Sequence, residues 1–256
     1  MIHFLFIFMS VHQFTTPHGI FRVLQSDCAF YECMSKGEAW DANLIRDICA
    51  YLPNRGTILD IGGHIGTHAI PYAKHCPRAK IYTFEPQSHI RSLLWENMQL
   101  NGITNLFILP HGAGHVERTV RMANDFTSDG YSPDLVVDYT SNRPANFGGL
   151  GITNDPRGEE IQLKTIDSMS FLDVTYMKID IEGAETLAVY GARQTIERWR
   201  PILFIEQSDK NVTPLYVVDC PELATFSVTD YLYSLGYTQI DMGQSNYLYV
   251  LPHHRP

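Results

Sequence analysis

Residues Thr57–His68, reading TILDIGGHIGTH, constrain this chain more than any other stretch. The first half is a short apolar run, Ile58, Leu59 and Ile61, of the kind that forms a strand buried on both faces. The run breaks at Gly62 and Gly63 and restarts with Gly66 in the first turn of an expected helix. A strand leading through a glycine loop into a helix start is the layout of a nucleotide-binding crevice. Gly62 and Gly63 admit backbone angles closed to other residues and let a ligand approach the main chain, and Gly66 permits close packing of helix on strand. Asp60 stands at the strand's carboxyl end, where it repels phosphate, so a neutral or positive ligand is expected beside the loop. Downstream, Lys80–Pro86 alternates as a β-prone strand ending in Glu85, 19 residues after Gly66. A βαβ unit holds a ribose by its two hydroxyls through an acidic residue at about that distance. The dinucleotide pattern G-x-G-x-x-G is not met, because His64 stands where its second glycine belongs and Thr67 where its third belongs. A pyrophosphate therefore fits poorly.

A second motif sharpens this. Tyr176–Glu185, reading YMKIDIEGAE, is a strand running into Asp180, then a turn at Gly183 and a helix start. Together with Asp167, Ser168 and the later run Arg200–Glu206, these stretches resemble the FkbM family of methyltransferases. Members carry a D-x-G-A-N-x-G loop and a K-x-D-x-E-G-x-E segment. The second is met by Lys178, Asp180, Glu182, Gly183 and Glu185. The first departs at Gly63, where alanine is usual, and at His64, where asparagine is usual. The resemblance implies a class I fold with S-adenosyl-L-methionine as cofactor and a hydroxyl of a sugar or other polyhydroxylated small molecule as acceptor. It assigns the cofactor to Asp60, Gly62, Gly63, His64, Gly66, Thr67, Glu85, Pro86, Gly112, Ala113 and Asp180, and catalysis to Asp180 and Glu182. Two rival functions remain: a catalytically silent nucleotide-binding module of the same fold, and, less well matched by the glycine spacing, a nicotinamide oxidoreductase.

The chain of 256 residues carries a formal net charge of −9, so a general nucleic-acid binder is not expected, since such binding rests on surplus Lys and Arg. Five cysteines (Cys28, Cys33, Cys49, Cys76, Cys220) fall at no metal-like spacing and read as reduced thiols of a cytoplasmic protein. Residues 2–9 are strongly apolar. They lack a basic flank and a cleavage site and are too short to span a bilayer. An added strand or docking segment, a weak membrane or partner contact, and a misplaced start are the readings open for them.

Taken in order, residues 1–56 read as a cover: a hairpin over residues 19–34, then a helix capped by Asp41 with Leu44, Ile45, Ile48, Cys49 and Leu52 on one face. Trp40 reads as an anchor for that helix. Residues 57–256 form the cofactor-binding domain. A helix is expected from about Gly66 to His75, and another capped by Ser88 that buries Ile90, Leu93, Leu94 and Met98 and stops at Asn101 and Gly102. A strand at Leu106–Leu109 leads to a small-residue loop, 110–115, beside the adenine. Residues 116–163 lose the helical rhythm and read as a β-lid shaping the acceptor pocket, with β-prone pieces at 118–122, 135–138 and 161–163 and an Asn146 turn near the cofactor. A strand at 177–181, one helix over 184–199, a strand ending at Glu206, a helix face Val228, Tyr231, Leu232 and Leu235, and a hairpin about residues 242–246 complete the chain. The expected fold is α/β and Rossmann-like: seven strands, mostly parallel, with the last strand antiparallel, plus a β-rich insertion.

In such a sheet ligands sit at the carboxyl ends of the strands, which places the first loop, Glu85, residues 111–113, Asp180 and Glu206 on one rim. Asp180 is expected nearest the reacting methyl, with Glu182 as candidate base and Glu185 as function or simply a helix-start charge. His64 and His68 are four apart, but no third ligand is spaced to match, and no metal is expected. A divalent ion at Asp180 and Glu182 is the lesser reading. His111 and His115 are further candidate bases.

Overall fold

The computed structural model describes residues 10–122, 146–154, 156–207 and 212–254. The chain opens with a hairpin, β1 (Val11–Thr16) and β2 (Gly19–Leu24), followed by helices α1 (Cys28–Ser35) and α2 (Ala42–Cys49). The alternating part then runs β3 (Gly56–Ile61), α3 (Ala69–His75), β4 (Ala79–Phe84), α4 (Ser88–Leu100) and β5 (Leu106–Leu109). The inserted segment holds β6 (His111–Ala113), β7 (Arg118–Met122), β8 (Ile152–Thr153) and β9 (Glu160–Lys164). The chain closes with β10 (Val174–Ile179), α5 (Glu185–Tyr190), α6 (Arg193–Trp199), β11 (Ile202–Glu206), α7 (Val228–Ser234), β12 (Thr238–Gly243) and β13 (Asn246–Val250).

Seven strands form the main sheet in the order β12-β13-β11-β10-β3-β4-β5. The five strands from β11 to β5 pair in parallel, and β13 runs antiparallel to both its neighbours. Successive residues of each strand serve opposite faces. Ile58, Ile81 and Tyr176 join a core with α2, α3 and α4, while Leu59, Met177 and Leu203 join a second core with α6 and α7. The chain leaves β3 toward β5 and returns to β10 on β3's other side, so strand order reverses between β3 and β10. In an open α/β sheet the ligand crevice opens at that point.

Several elements differ from the sequence expectation, each for a local reason. The hairpin lies earlier, joining β1 to β2 about Pro17 and His18, with Thr16 paired to Gly19. The Thr16 hydroxyl fastens this turn, donating to the Gly19 carbonyl and accepting the His18 N–H. Ala29–Tyr31, read as a strand, belongs to α1, where Phe30 and Met34, one helical turn apart, are the buried pair. α3 begins at Ala69, not Gly66, after tight turns. Ser88 does not cap α4. Gln87 occupies the cap position, and the Ser88 N–H is taken by the Glu159 carboxylate from the lid. The single helix expected over 184–199 breaks into α5 and α6. Asp167 causes the break: its N–H takes the Gly191 carbonyl, and its carboxylate accepts the N–H groups of Gln194 and Thr195 at the start of α6. Residues 2–9 and 135–138 lie outside the described residues.

The expected β-rich insertion forms, among the described residues, a four-stranded sheet, β6-β9-β7-β8, in which the small-residue loop beyond β5 contributes an edge strand. The cover is joined to the rest by α4. Asn97 is fully buried; its Oδ1 accepts the Arg22 N–H at 2.6 Å, and its Nδ2 donates to the carbonyls of Arg22 and Ile65. One turn later Asn101 pairs with both backbone groups of Ile20. The two amides thus satisfy the outer edge of β2 as a further strand would, a service the apolar pattern of α4 does not show. Asn97→Ala strands the N–H and carbonyl of half-buried Arg22 and the buried Ile65 carbonyl, so the expected loss is about 2–4 kcal/mol of stability, checked by the urea midpoint.

Candidate active site

The crevice is built where β3 and β10 end side by side. The Asp180 N–H donates to the Ile61 carbonyl at 3.1 Å. Gly62 turns away at φ +92°, and a Cβ there would lie 1.9 Å from the Asp180 carbonyl, so only glycine fits. Lys178 threads between the two strand ends, 2% exposed in its side chain. Its Nζ lies 3.1 Å from Asp180 Oδ2 and 3.7 Å from Asp60 Oδ1, and donates to the Gly62 carbonyl at 3.1 Å. Burial works against the ammonium, but Asp180 and Asp60 outweigh it and hold the Lys178 pKa above its ordinary value. Asp60 is fully buried and accepts the Thr83 hydroxyl at 2.7 Å.

At the end of β4, Glu85 is 3% exposed, and each of its oxygens accepts one backbone N–H. Oε2 takes that of His64 and Oε1 that of Gln87, both at 2.8 Å. Burial raises the Glu85 pKa, partly offset by His64 and by these two donors. Each oxygen keeps a lone pair, so the carboxylate can still accept from a diol.

Asp180, Glu182 and Glu206 gather beyond β10 and β11, with one carboxylate oxygen from each within 4.8 Å of the others. Burial pushes Asp180 up, and the Lys178 ammonium outweighs it, leaving Asp180 below the usual carboxylate range. Glu206 goes the other way. Burial first, then the charges of Asp180, Glu182 and Glu185, push it up to about 8. Of the two, Glu206 therefore holds a proton at neutral pH and Asp180 does not. Such a group of carboxylates can bind a cation or pass a proton. Glu182 adopts left-handed backbone at φ +57°, and its turn is fastened by Glu185, whose Oε1 accepts the N–H groups of Ile181 and Gly183. Glu185 is buried away from the cavity, its pKa raised to about 7 by burial.

The cover closes one side. Phe30 and Trp40 stack with centroids 4.1 Å apart, and both line the cavity, so Trp40 walls the crevice as well as anchoring its helix. His64 Nε2 lies 3.0 Å from Asp27, and His68 Nε2 lies 3.1 Å from Asp41. His68 Nδ1 meets the Tyr72 hydroxyl at 3.0 Å. The two histidines therefore answer separate aspartates of the cover and do not converge on a metal. Asp41 stands before α2 as expected, but its side chain makes no cap bond. The lid closes the opposite side through Gly112, Ala113, Leu163 and the Asn146 turn, with the Gln87 amide donating to the Phe147 carbonyl at 3.0 Å.

The cavity so enclosed holds about 280 Å³. Of the residues expected at the cofactor, Gly62, Gly63, His64, Thr67, Glu85, Pro86, Gly112, Ala113 and Asp180 line it, as does Glu182. Asp60 and Gly66 do not: Asp60 lies beneath the loop against Lys178, and Gly66 lies under Leu94 and Ile70, where a Cβ would come within 2.9 Å of both. His111 and His115 are not among the lining residues, and the His115 ring packs on Tyr216. Lys178, Glu206, Phe30 and the two His–Asp pairs were not assigned roles from sequence. Lys178 stood in the second motif, and a buried lysine two residues before an aspartate is the signal that could have found it.

These residues fit S-adenosylmethionine. Glu85 retains acceptor capacity for ribose hydroxyls, the loop carries no phosphate-binding cation, and among the described lining residues the one lysine is already engaged by carboxylates. Sheet order, glycine loop and acidic strand end together define the S-adenosylmethionine-dependent methyltransferases of class I. A family model described as the methyltransferase FkbM domain matches residues 60–237, and the chain belongs to that family. Among solved structures, methyltransferase FkbM from Methylobacillus flagellatus KT is similar at 19% identity and a TM-score of 0.50, over 77% of this chain. This chain spans 43% of that one. Two further similar structures score 0.42: precorrin-6y C5,15-methyltransferase from Geobacter metallireducens GS-15 (10% identity, 82% of this chain and 86% of that) and M. jannaschii TYW2 in complex with AdoMet (11% identity, 94% and 84%). No protein of curated function matches. Among the described residues no helix is long and apolar enough to cross a membrane, and all five cysteines are unbridged.

Glu85→Ala is expected to weaken S-adenosylhomocysteine binding about tenfold to a hundredfold in a calorimetric titration, since charge-assisted bonds are lost while the fold remains. Glu206 predicts a pH effect on stability. Its folded pKa of about 8 exceeds the ordinary 4.5, so the folded state binds the extra proton between these values. Stability from this group is therefore full below the lower value and is lost as pH rises toward the upper one. Glu206→Gln, a mimic of the protonated form, should gain Tm over wild type by a margin that widens from pH 5 to pH 8 in scanning calorimetry.

Proposed function

We propose that this protein transfers a methyl group from S-adenosylmethionine to a hydroxyl of a sugar or other polyhydroxylated small molecule. The observation that carries the reading is the group of three carboxylates at the ends of β10 and β11, one ionised beside Lys178 and one protonated at neutral pH. A hydroxyl acceptor must lose its proton as the new bond forms, which requires a carboxylate or other base within hydrogen-bond reach.

When bound, S-adenosylmethionine supplies an electrophilic methyl group on a sulfonium. Glu85 would hold the ribose with the lone pairs its backbone bonds leave free. Gly112 and Ala113 would border the adenine, and the Gly62–Thr67 loop the remainder. Asp180 orients the acceptor hydroxyl and takes its proton, with Glu182 beside it as a second acceptor. Glu206 keeps its own proton, so Asp180 beside it stays free to accept that of the acceptor. Gln244 and Asn246, from the closing hairpin, also line the cavity and supply neutral donors and acceptors suited to further hydroxyls. Cover and lid hold the acceptor close to its target, and such positioning supplies up to about 7–11 kcal/mol in the best cases. An acidic site in a chain of net charge −9 speaks against a nucleic-acid acceptor. A cytoplasmic setting and a small-molecule or glycan partner belong to the same reading.

The test is incubation with methyl-labelled S-adenosylmethionine and a panel of polyols, amines and thiols. Label in a base-stable ether of a polyol supports the reading; label confined to amines or thiols removes it. With the acceptor in hand, Asp180→Asn should lower kcat by at least about a hundredfold. Its S-adenosylhomocysteine affinity should stay within about fivefold of wild type.

A further inference from the structure

We propose that Asp27, in the amino-terminal cover, is a positioning residue for the cofactor loop and acts through His64. Asp27 occupies the position before α1 where an aspartate ordinarily accepts an N–H of the first helical turn. It makes no such bond. Its carboxylate, 1% exposed, instead lies 3.0 Å from His64 Nε2, a close charge contact without hydrogen-bond alignment, and among the described residues no side-chain hydrogen bond satisfies either group. Phe30, from the same helix, lies against the His64 ring with centroids 4.3 Å apart. α1 therefore grips the imidazole through a charge and through a ring face.

What it grips matters for the cofactor. His64 holds left-handed backbone at φ +46°, a conformation that Asn, Asp and His tolerate better than other side chains. Its N–H then points at Glu85 Oε2, 2.8 Å away. One continuous path runs from Asp27 through the imidazole and the loop backbone to the carboxylate expected at the ribose. Asparagine, usual at this loop position in the family, stabilises left-handed backbone with its own short side chain and needs no distant partner. Histidine is longer and buried. Without the carboxylate beside Nε2, a buried polar ring has no charge to hold it and is expected to turn toward water, taking the His64 N–H off Glu85. Asp41 and His68 repeat the arrangement one turn further on. Asp41 also stands before a helix, makes no cap bond, and meets His68 Nε2 at 3.1 Å.

The test is calorimetric titration of the full chain with S-adenosylhomocysteine, for wild type, Asp27→Ala, His64→Asn and the double variant, with thermal melts beside each. The inference rests on the cofactor assignment, which the wild-type titration tests separately. Asp27→Ala should weaken binding about tenfold or more. The double variant should return to within about threefold of wild type, because asparagine no longer requires the aspartate. A purely structural role for Asp27 gives no such rescue by a change in the loop. Unchanged affinity in Asp27→Ala, or a double variant as weak as the single, overturns the proposal. Should Asp27→Ala fail to fold, Asp27→Asn keeps the volume, removes the charge and is read by the same two outcomes.

Discussion

One buried ammonium ties this molecule together. Lys178 lies between Asp60 and Asp180 and donates to the Gly62 carbonyl, so it touches the end of β3, the end of β10 and the glycine loop at once. A buried charge is tolerable only when paired, and deleting one partner of such a group commonly costs about 3–5 kcal/mol. Here that cost has a functional return. The ammonium allows Asp180 to stay ionised in a half-buried place beside two other carboxylates, and that charge adds to burial in keeping a proton on Glu206. The electrostatics of the site follow from a residue that neither the glycine loop nor Glu85 brings to mind.

The sheet was legible because its signals are local and periodic. The run Ile58–Ile61, the break at Gly62 and the acidic end of β4 each follow from a few neighbouring residues, and all fall where expected. The closing hairpin was equally plain. What could not be read were decisions made by distant partners. Asp167 splits one helix into two by offering a better acceptor than continued helix would. Asn97 and Asn101 look like ordinary polar positions near a helix end, and only the bare edge of β2 gives them their purpose. Phe30 sits in a segment with strand-like composition that a helix claims because its buried partner is Met34. In the site, spacing located the rim but not the division of labour on it. Asp60 and Gly66 belong to the motif and serve the loop from below, while Glu206 was placed on the rim without a role.

The cover shows how a departure from a family motif is accommodated. A histidine in place of asparagine adds bulk and two ring nitrogens to a tight turn. The chain absorbs it with an aspartate and a phenylalanine at the start of a single helix, beside a second departure at Gly63 and with Glu85 still in place. The price is that cover and loop are no longer independent parts.

The lid sheet joins two ends of the cavity in a similar way. β6 carries Gly112 and Ala113 at one edge, and β8 lies at the other, beside Gly151, which packs against the Glu182 carbonyl. The same small sheet thus lines the cavity with Gly112 and Ala113 from one border and Ile152 from the opposite border, with β9 and β7 between. Residues about β8 can be exchanged without touching the backbone pairing of Gly112 with Leu163. In evolutionary terms the two borders are insulated by two strands: substitutions can accumulate along one while the backbone pairing of the other stays as it is.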